Sequence, residues 1–490
     1  MPETRETLRH MIRHRLQKGP FVVVSNREPY LSTRRGGRTE WVRAVSGVTA
    51  ALDSVMRASQ GLWVAHGSGS ADFDVADKDG FVGVPPNRPA YRLKRVRLTP
   101  RQVAGYYNGF ANSTLWPLCH VAYQRPVFRY EQWEIYREVN QLFAQSVAEE
   151  IQDSRAFVFI QDYHLALLPR MLRLLCPRAQ LVQFWHIPWP NPEVMRICPW
   201  THEILEGLLG NEILGFHIRY HCDNFIATVE RELEARPDRE RNAIVYRGHA
   251  TKIRAFPISV DFEEISRQAG APETQRLMAS LRREYHLSQD KIVGLGVDRI
   301  DYTKGLGERL DALDALLERH PRYRGRLVFL QVGVPSRTEL PEYRALGTML
   351  RRKVAAINRK YRRRGWEPVI FLRQALPLAT LVALYRLADF LVASSLHDGM
   401  NLVAKEFVAA RVDGRGVLLL SRFTGASREL RDALLINSFV PEEMAGQMRD
   451  ALEMDPLEIR RRMGRLRNQV REHNVYDWAA GILRKGFKLG

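Results

Sequence analysis

Cysteine is scarce: Cys119, Cys176, Cys198 and Cys222 stand far apart in a chain of 490 residues, with no CxxC pair among them. That spacing excludes a disulfide framework and makes buried, reduced thiols in a cytoplasmic protein the expectation. Long apolar runs are missing too. The longest, 381–396, is interrupted by Arg386 and Asp389, which is incompatible with the roughly 20 lipid-facing residues of a membrane helix. No repeat or low-complexity tract occurs, so disorder and collagen are excluded. Acidic residues are the under-represented charge, 55 against 74 basic ones for a net +19, and lysine is the rarer base, 11 residues against 63 arginines.

An excess of that sign raises nucleic acid or an anionic membrane as partners. The basic clusters, 351–353, 359–364 and 460–462, are short and fall in segments of helical pattern, where a charge run reads as a solvated face. Neither nucleic acid nor membrane is therefore expected. What the chain does have is 45% hydrophobic, 26% charged and 9% aromatic residues, the composition of a globular protein whose length calls for two domains.

The first twenty residues place Leu8, Met11, Ile12 and Leu16 at helical spacing, and Glu3 and Glu6 argue against a transit peptide; an amphipathic helix docked on the body is expected. Beyond it, short apolar runs at 21–24, 157–160, 181–185, 213–216 and 253–256 read as buried strands separated by helical segments. Residues 61–98, with Gly67-Ser68-Gly69-Ser70 and Pro85-Pro86, read as hairpins and loops. A second series of strands, at 292–296, 327–332, 369–372, 390–393, 417–420 and 434–436, has a segment long enough for a crossover helix after each, the pattern of a doubly wound parallel sheet.

The boundary is placed between Ser259 and Asp290, where Gly270-Ala271-Pro272 lies among polar stretches as in a linker. The domains are then 1–260, with 1–20 as a helical extension, and 261–490, with the last helix, about 475–488, packing back on the first. Two such sheets bind ligands at the carboxyl ends of their strands.

Three constellations carry chemistry. Asp298-Arg299-Ile300-Asp301-Tyr302-Thr303-Lys304-Gly305-Leu306 runs from a strand into a helix N-terminus, an anion site in which two cations reinforce backbone N–H groups and dipole. His397-Asp398-Gly399-Met400-Asn401-Leu402-Val403-Ala404-Lys405-Glu406 again joins strand to helix; Gly399 permits close approach, and Glu406, read as two turns into the helix, sits among apolar residues, where a carboxylate needs partners such as paired sugar hydroxyls. In the first half, Asp162 and His186 follow neighbouring strands and lie side by side for hydrogen-bonding a polyol. No second His or acid stands at ligand spacing, so no metal site is read there.

Together with Val22-Val23-Val24-Ser25-Asn26-Arg27, Tyr106-Tyr107-Asn108-Gly109-Phe110-Ala111-Asn112, Leu115-Trp116-Pro117, Asp162-Tyr163-His164 and His186-Ile187-Pro188, these segments resemble the trehalose-6-phosphate synthase family of glycosyltransferases, in the family's order over roughly 20–485. The resemblance implies a GT-B architecture, two Rossmann-like doubly wound domains facing across a cleft, and retaining transfer of glucose from a nucleotide-glucose, UDP-glucose first, to glucose 6-phosphate. Carried over residue by residue, it assigns Arg299 and Lys304 to the donor diphosphate, Glu406 to the ribose hydroxyls, Gly47 to the donor phosphates, and Asp398, Gly399, Met400, Asn401, Leu402 and Val403, with His186, to the transferred glucose. Asp162 falls near the reacting centre, and Arg27, Tyr107, Trp116 and Arg337 at the acceptor phosphate.

In that family the departing phosphate takes the acceptor's proton on the same face, so no glycosidase-like carboxylate pair is expected. The two cations do the work of a divalent ion, and no metal or cofactor is expected. A homo-oligomer, dimer or tetramer, is implied. The alternatives are a glucosylglycerol-phosphate synthase on the same scaffold and a non-catalytic regulatory homologue. The chain departs from the family at Ser46-Gly47, where a Gly-Gly pair is usual, at Gln161, where His is usual, at Glu28-Pro29-Tyr30 after Arg27, and in Trp185 and Trp189 around His186.

Overall fold

The computed structural model describes residues 2–15, 19–43, 47–238, 240–363 and 365–486. Leu16, Ser46, Arg364 and the end of the last helix beyond 486 lie outside the described residues. Residues 3–258 together with 475 onward form one compact unit, and residues 259–474 form another.

The first unit is built on a ten-stranded sheet. Phe21–Arg27, Phe157–Gln161, Gln180–Phe184 and Ile213–Phe216 are buried almost throughout, as strands covered on both faces must be. Leu62–His66 and Tyr91–Val96 extend the sheet on one side of Phe21–Arg27, while Phe157–Gln161, Gln180–Phe184, Ile213–Phe216 and His249–Ala255 extend it on the other, all parallel. The strand order therefore reverses between Phe21–Arg27 and Phe157–Gln161. Helix Tyr130–Ile151 buries Trp133, Tyr136, Val139, Asn140, Phe143 and Val147, an i, i+3, i+4 stripe. At the amino end, Arg5–Arg15 buries Leu8 and Ile12 against helices Gly47–Ser59 and Val475–Gly486, as the amphipathic spacing predicts.

The second unit has a six-stranded sheet in the order Val369–Leu372, Leu327–Val334, Ile292–Arg299, Phe390–Ala393, Val417–Ser421, Leu434–Ile436, every pair parallel. Its reversal falls between Ile292–Arg299 and Phe390–Ala393. In doubly wound sheets that crevice is where ligands bind.

Three expectations are corrected. Residues 61–98 are not mainly hairpins: Leu62–His66 and Tyr91–Val96 are parallel members of the main sheet, and only Phe81–Val84 makes a hairpin, with Tyr91–Val96. Two of the three basic residues that disguised Tyr91–Val96 are buried with counter-ions, Lys94 beside Glu149 and Glu150 and Arg95 between Glu28 and Asp72. The linker is also structured. Asp261 caps helix Phe262–Gly270, Pro272 opens helix Pro272–Glu284, and Phe262, Ile265, Ala269 and Leu281 are buried, so the polar stretches are the outer faces of packed helices. Finally, only the 3₁₀ turn Gly425–Arg428 joins Val417–Ser421 to Leu434–Ile436, without the expected crossover helix.

Candidate active site

In the second unit the sequence-predicted residues gather at the reversal of the sheet. Strand Ile292–Arg299 ends on Arg299; a 3₁₀ turn, Tyr302–Lys304, then leads through Gly305 into helix Leu306–Arg319. Gly305 has φ +61°, and a Cβ there would lie 2.2 Å from the Ser394 carbonyl oxygen, so only glycine fits. The sharp turn brings the Lys304 ammonium 2.5 Å from Asp398 Oδ2, across from the end of the neighbouring strand Phe390–Ala393.

Asp398 is held from several sides. Ser395 Oγ donates to its Oδ2 at 3.1 Å, and its backbone bonds to Phe423 and Gly425. Gly399 and Gly425 pass so closely that a Cβ on Gly425 would meet the Gly399 carbonyl at 2.0 Å. Asn401, at φ +83°, caps helix Leu402–Ala410 by accepting from the Ala404 N–H, and the helix N-terminus opens beside Met400, where its first-turn N–H groups favour an anion.

Glu406 is the fifth residue of that helix, one turn in and not two. Burial raises its pKa to about 7, against the lowering effect of the Tyr385 hydroxyl, which donates to Oε2 at 2.8 Å. Arg337, at φ +50° in the loop after Leu327–Val334, donates from Nη1 to Asp301 Oδ2 at 3.2 Å, and Arg299 stands 3.6 Å from the same oxygen.

In the first unit, Arg27 at the end of its strand donates to the Tyr107 hydroxyl at 2.6 Å. Tyr107 stacks on His164, with centroids 5.7 Å apart and planes 11° apart. Trp116 packs on Tyr163 at 5.9 Å. Trp116 lies nine positions after Tyr107, which in an α-helix of about 3.6 residues per turn would set them on opposite faces. Val103–Leu115, however, is a π-helix, with Asn112 Nδ2 and Ser113 Oγ also reaching the carbonyls five residues back. At roughly 4.4 residues per turn, i→i+5 bonding completes two turns over that interval, and both rings meet the Tyr163-His164 pair.

Asp162 adopts φ +72° and accepts at Oδ1 from the Tyr163 and His186 backbone N–H groups, at 3.0 and 3.1 Å. Asp162 and His186 are thus side by side, as expected. Gln161 Oε1 lies 2.9 Å from His186 Nε2. Burial, with His164 nearby, pushes the His186 pKa down to about 3, so the ring is neutral; the amide oxygen accepts from Nε2–H and leaves the lone pair on Nδ1. Gly47 opens helix Gly47–Ser59.

The profile of glycosyltransferase family 20 matches residues 19–485. The chain belongs to glycosyltransferase family 20. It is 39% identical over 471 residues to the trehalose-6-phosphate synthase of Mycolicibacterium smegmatis, covering 94% of this chain and 91% of that one, and 37% identical over 478 residues to that of Mycobacterium leprae. Among solved structures it is similar to an α,α-trehalose-phosphate synthase (UDP-forming) from Burkholderia xenovorans in complex with glucose-6-phosphate, at TM-score 0.86 and 29% identity over 96% of this chain and all of that one. An E. coli protein bound with UDP-2-fluoro glucose matches at TM-score 0.85 and 29% identity, over 96% and 99%.

With membership of family 20 comes the GT-B fold, whose two Rossmann-like domains are the two doubly wound units described above. Of the residues that the resemblance assigned to the acceptor, Arg27, Tyr107, Trp116 and Asp162 belong to the first unit and Arg337 to the second. Sequence reasoning gave no role to Asp301, Gln161, His164, Ser395 or Tyr385. Asp301 stands inside a quoted motif and Gln161 beside one, but Arg337 and His186, which they hold, arrive from elsewhere in the chain. Among the described residues no group of three or more His, Cys, Asp or Glu is placed to hold a metal ion, and no helix is long and apolar enough to cross a membrane.

Proposed function

We propose that this family 20 enzyme transfers glucose from UDP-glucose to glucose 6-phosphate with retention of configuration, giving α,α-trehalose 6-phosphate. The observation that carries the reading is the convergence of Arg299, Lys304 and Asp398 at the strand-order reversal of the second sheet, where nucleotide ligands of doubly wound sheets bind. The likeness to proteins solved with a UDP-glucose analogue and with glucose 6-phosphate supports it.

In this reading Arg299 and Lys304 hold the donor diphosphate and stabilise the charge that develops as the anomeric C–O bond breaks, worth several kcal/mol in a water-poor site. The first turn of Leu402–Ala410 adds its N–H groups, and Gly47 contacts the donor phosphates. Glu406 accepts from the ribose hydroxyls. Asp398, with the backbone from Gly399 to Val403, orients the glucose, and His186 accepts one of its hydroxyls at Nδ1. Asp162 holds hydroxyls near the reacting centre. Arg27, Tyr107, Trp116 and Arg337 bind the acceptor and its phosphate, and the departing phosphate oxygen takes the proton of the attacking hydroxyl.

The enzyme works in the cytoplasm as a homodimer or homotetramer. Four buried, unbridged cysteines support a reducing compartment, and light scattering of the purified chain tests the assembly. A thermal-shift panel with UDP-, GDP- and ADP-glucose tests the donor: UDP-glucose raises the midpoint most, and glucose 6-phosphate raises it further. A larger shift with GDP- or ADP-glucose would reassign the base.

A further inference from the structure

Asp301 is wholly buried, and its two oxygens do different work. Oδ1 accepts from the Thr303 N–H at 3.1 Å and the Thr303 hydroxyl at 3.0 Å, which fixes the carboxylate in the turn. Oδ2 takes the Arg337 guanidinium at 3.2 Å and faces Arg299 at 3.6 Å. The two arginines leave adjacent parallel strands, paired up to Arg299 and Val334, so one oxygen sits between groups that would otherwise repel. Arg337 is steadied further by donating to the Tyr343 hydroxyl, and its side chain is 3% exposed while that of Arg299 is 30% exposed.

We infer that Asp301 is a positioning residue that sets the donor-phosphate cation Arg299 and the acceptor-phosphate cation Arg337 in register with each other. This rests on the roles given to the two arginines above. One carboxylate between two guanidiniums leaves the group net positive, so it fixes both side chains without cancelling their pull on anions. Thr303, by clamping Oδ1, aims Oδ2 at the arginines. Burial pushes the Asp301 pKa up, but Arg337, Arg299 and Lys304 outweigh it and hold the group below its ordinary value, so the carboxylate is charged whenever the enzyme works.

The arginines meet different ligands, so a shared anchor has a signature that a framework residue lacks. In calorimetric titrations of the full chain with UDP and, separately, with glucose 6-phosphate, Asp301→Asn weakens both by about tenfold. Arg299→Gln weakens mainly UDP, and Arg337→Gln mainly glucose 6-phosphate. Thr303→Val keeps the charge but loosens its aim; it weakens both ligands by a smaller factor and decides the matter if Asp301→Asn fails to fold. Folded Asp301→Asn protein with either dissociation constant unchanged would overturn the inference, as would Thr303→Val with both unchanged. Product formation by the wild-type chain is measured alongside: absence of a disaccharide phosphate refutes the proposed reaction, whereas the two affinities judge Asp301.

Discussion

Lys304 and Asp398 form an ion pair of 2.5 Å between the turns that end neighbouring strands, each side chain about seven-eighths shielded from water. The cation proposed for the leaving group is thus oriented by the acid proposed for the sugar, before either ligand arrives. Such preorganisation is what makes an electrostatic clamp effective, because its reorganisation cost is met in folding.

Replacing Lys304 or Arg299 by Ala should lower turnover about a hundredfold to a thousandfold. Circular dichroism should remain close to wild type, since neither side chain belongs to the apolar core, while Lys304→Ala should lose some thermal stability because Asp398 loses its shielded counter-ion. Initial rates with UDP-glucose and glucose 6-phosphate check this, and near-normal rates in both variants would remove the clamp.

Glu406, proposed to hold the donor ribose, should make nucleotide binding sensitive to pH. Burial raises its folded pKa from 4.5 to about 7, so its contribution to stability is fully present below 4.5 and is lost as pH rises through 7. Ribose hydroxyls donate better to the carboxylate than to the protonated acid, so UDP affinity should rise with pH across the unit on either side of about 7. Glu406→Gln should weaken UDP and flatten that part of the profile. An unchanged slope in the variant, by calorimetry, would detach Glu406 from the nucleotide.

Tyr107→Phe removes the hydroxyl that accepts from Arg27 and leaves the ring stacked on His164. The KM for glucose 6-phosphate should rise about fivefold, the value of one ordinary hydrogen bond, with the KM for UDP-glucose unchanged. Equal changes in both would show that the π-helix serves the fold as a whole and not the acceptor.

Gly305→Ala puts a Cβ against the Ser394 carbonyl at a φ of +61°. Strain and clash together should cost about 2 kcal/mol or more, and turnover should fall with stability because Lys304 precedes the strained residue. A variant that melts with the wild type would contradict the geometry of this turn.

The strands of the second unit were legible because they are short apolar runs separated by helical segments, and their carboxyl ends led directly to Arg299, Lys304 and Asp398. Tyr91–Val96 was not legible, since its alternation of charge conceals side chains that are buried with carboxylates. Gly270-Ala271-Pro272 reads equally as a linker or as the corner between two helices, and only the buried face of Phe262, Ile265 and Leu281 distinguishes them.

Asp301 reaches Arg337 and Gln161 reaches His186, each far along the chain, so spacing does not reveal them. The arginine excess has a partial explanation of the same kind. Arg309 is wholly buried with Asp298, Ser394 and Gln331, and Arg411 donates to the carbonyls of Tyr385, Arg386 and Ala388. An arginine that braces the interior looks in sequence like one on the surface.

The central claim is the identity of the acceptor. Purified chain incubated with UDP-glucose and labelled glucose 6-phosphate or glycerol 3-phosphate, with products resolved by mass spectrometry, tests it most directly. The account predicts α,α-trehalose 6-phosphate from the hexose phosphate and little product from glycerol 3-phosphate. Glucosylglycerol phosphate, with no disaccharide phosphate from glucose 6-phosphate, would contradict it.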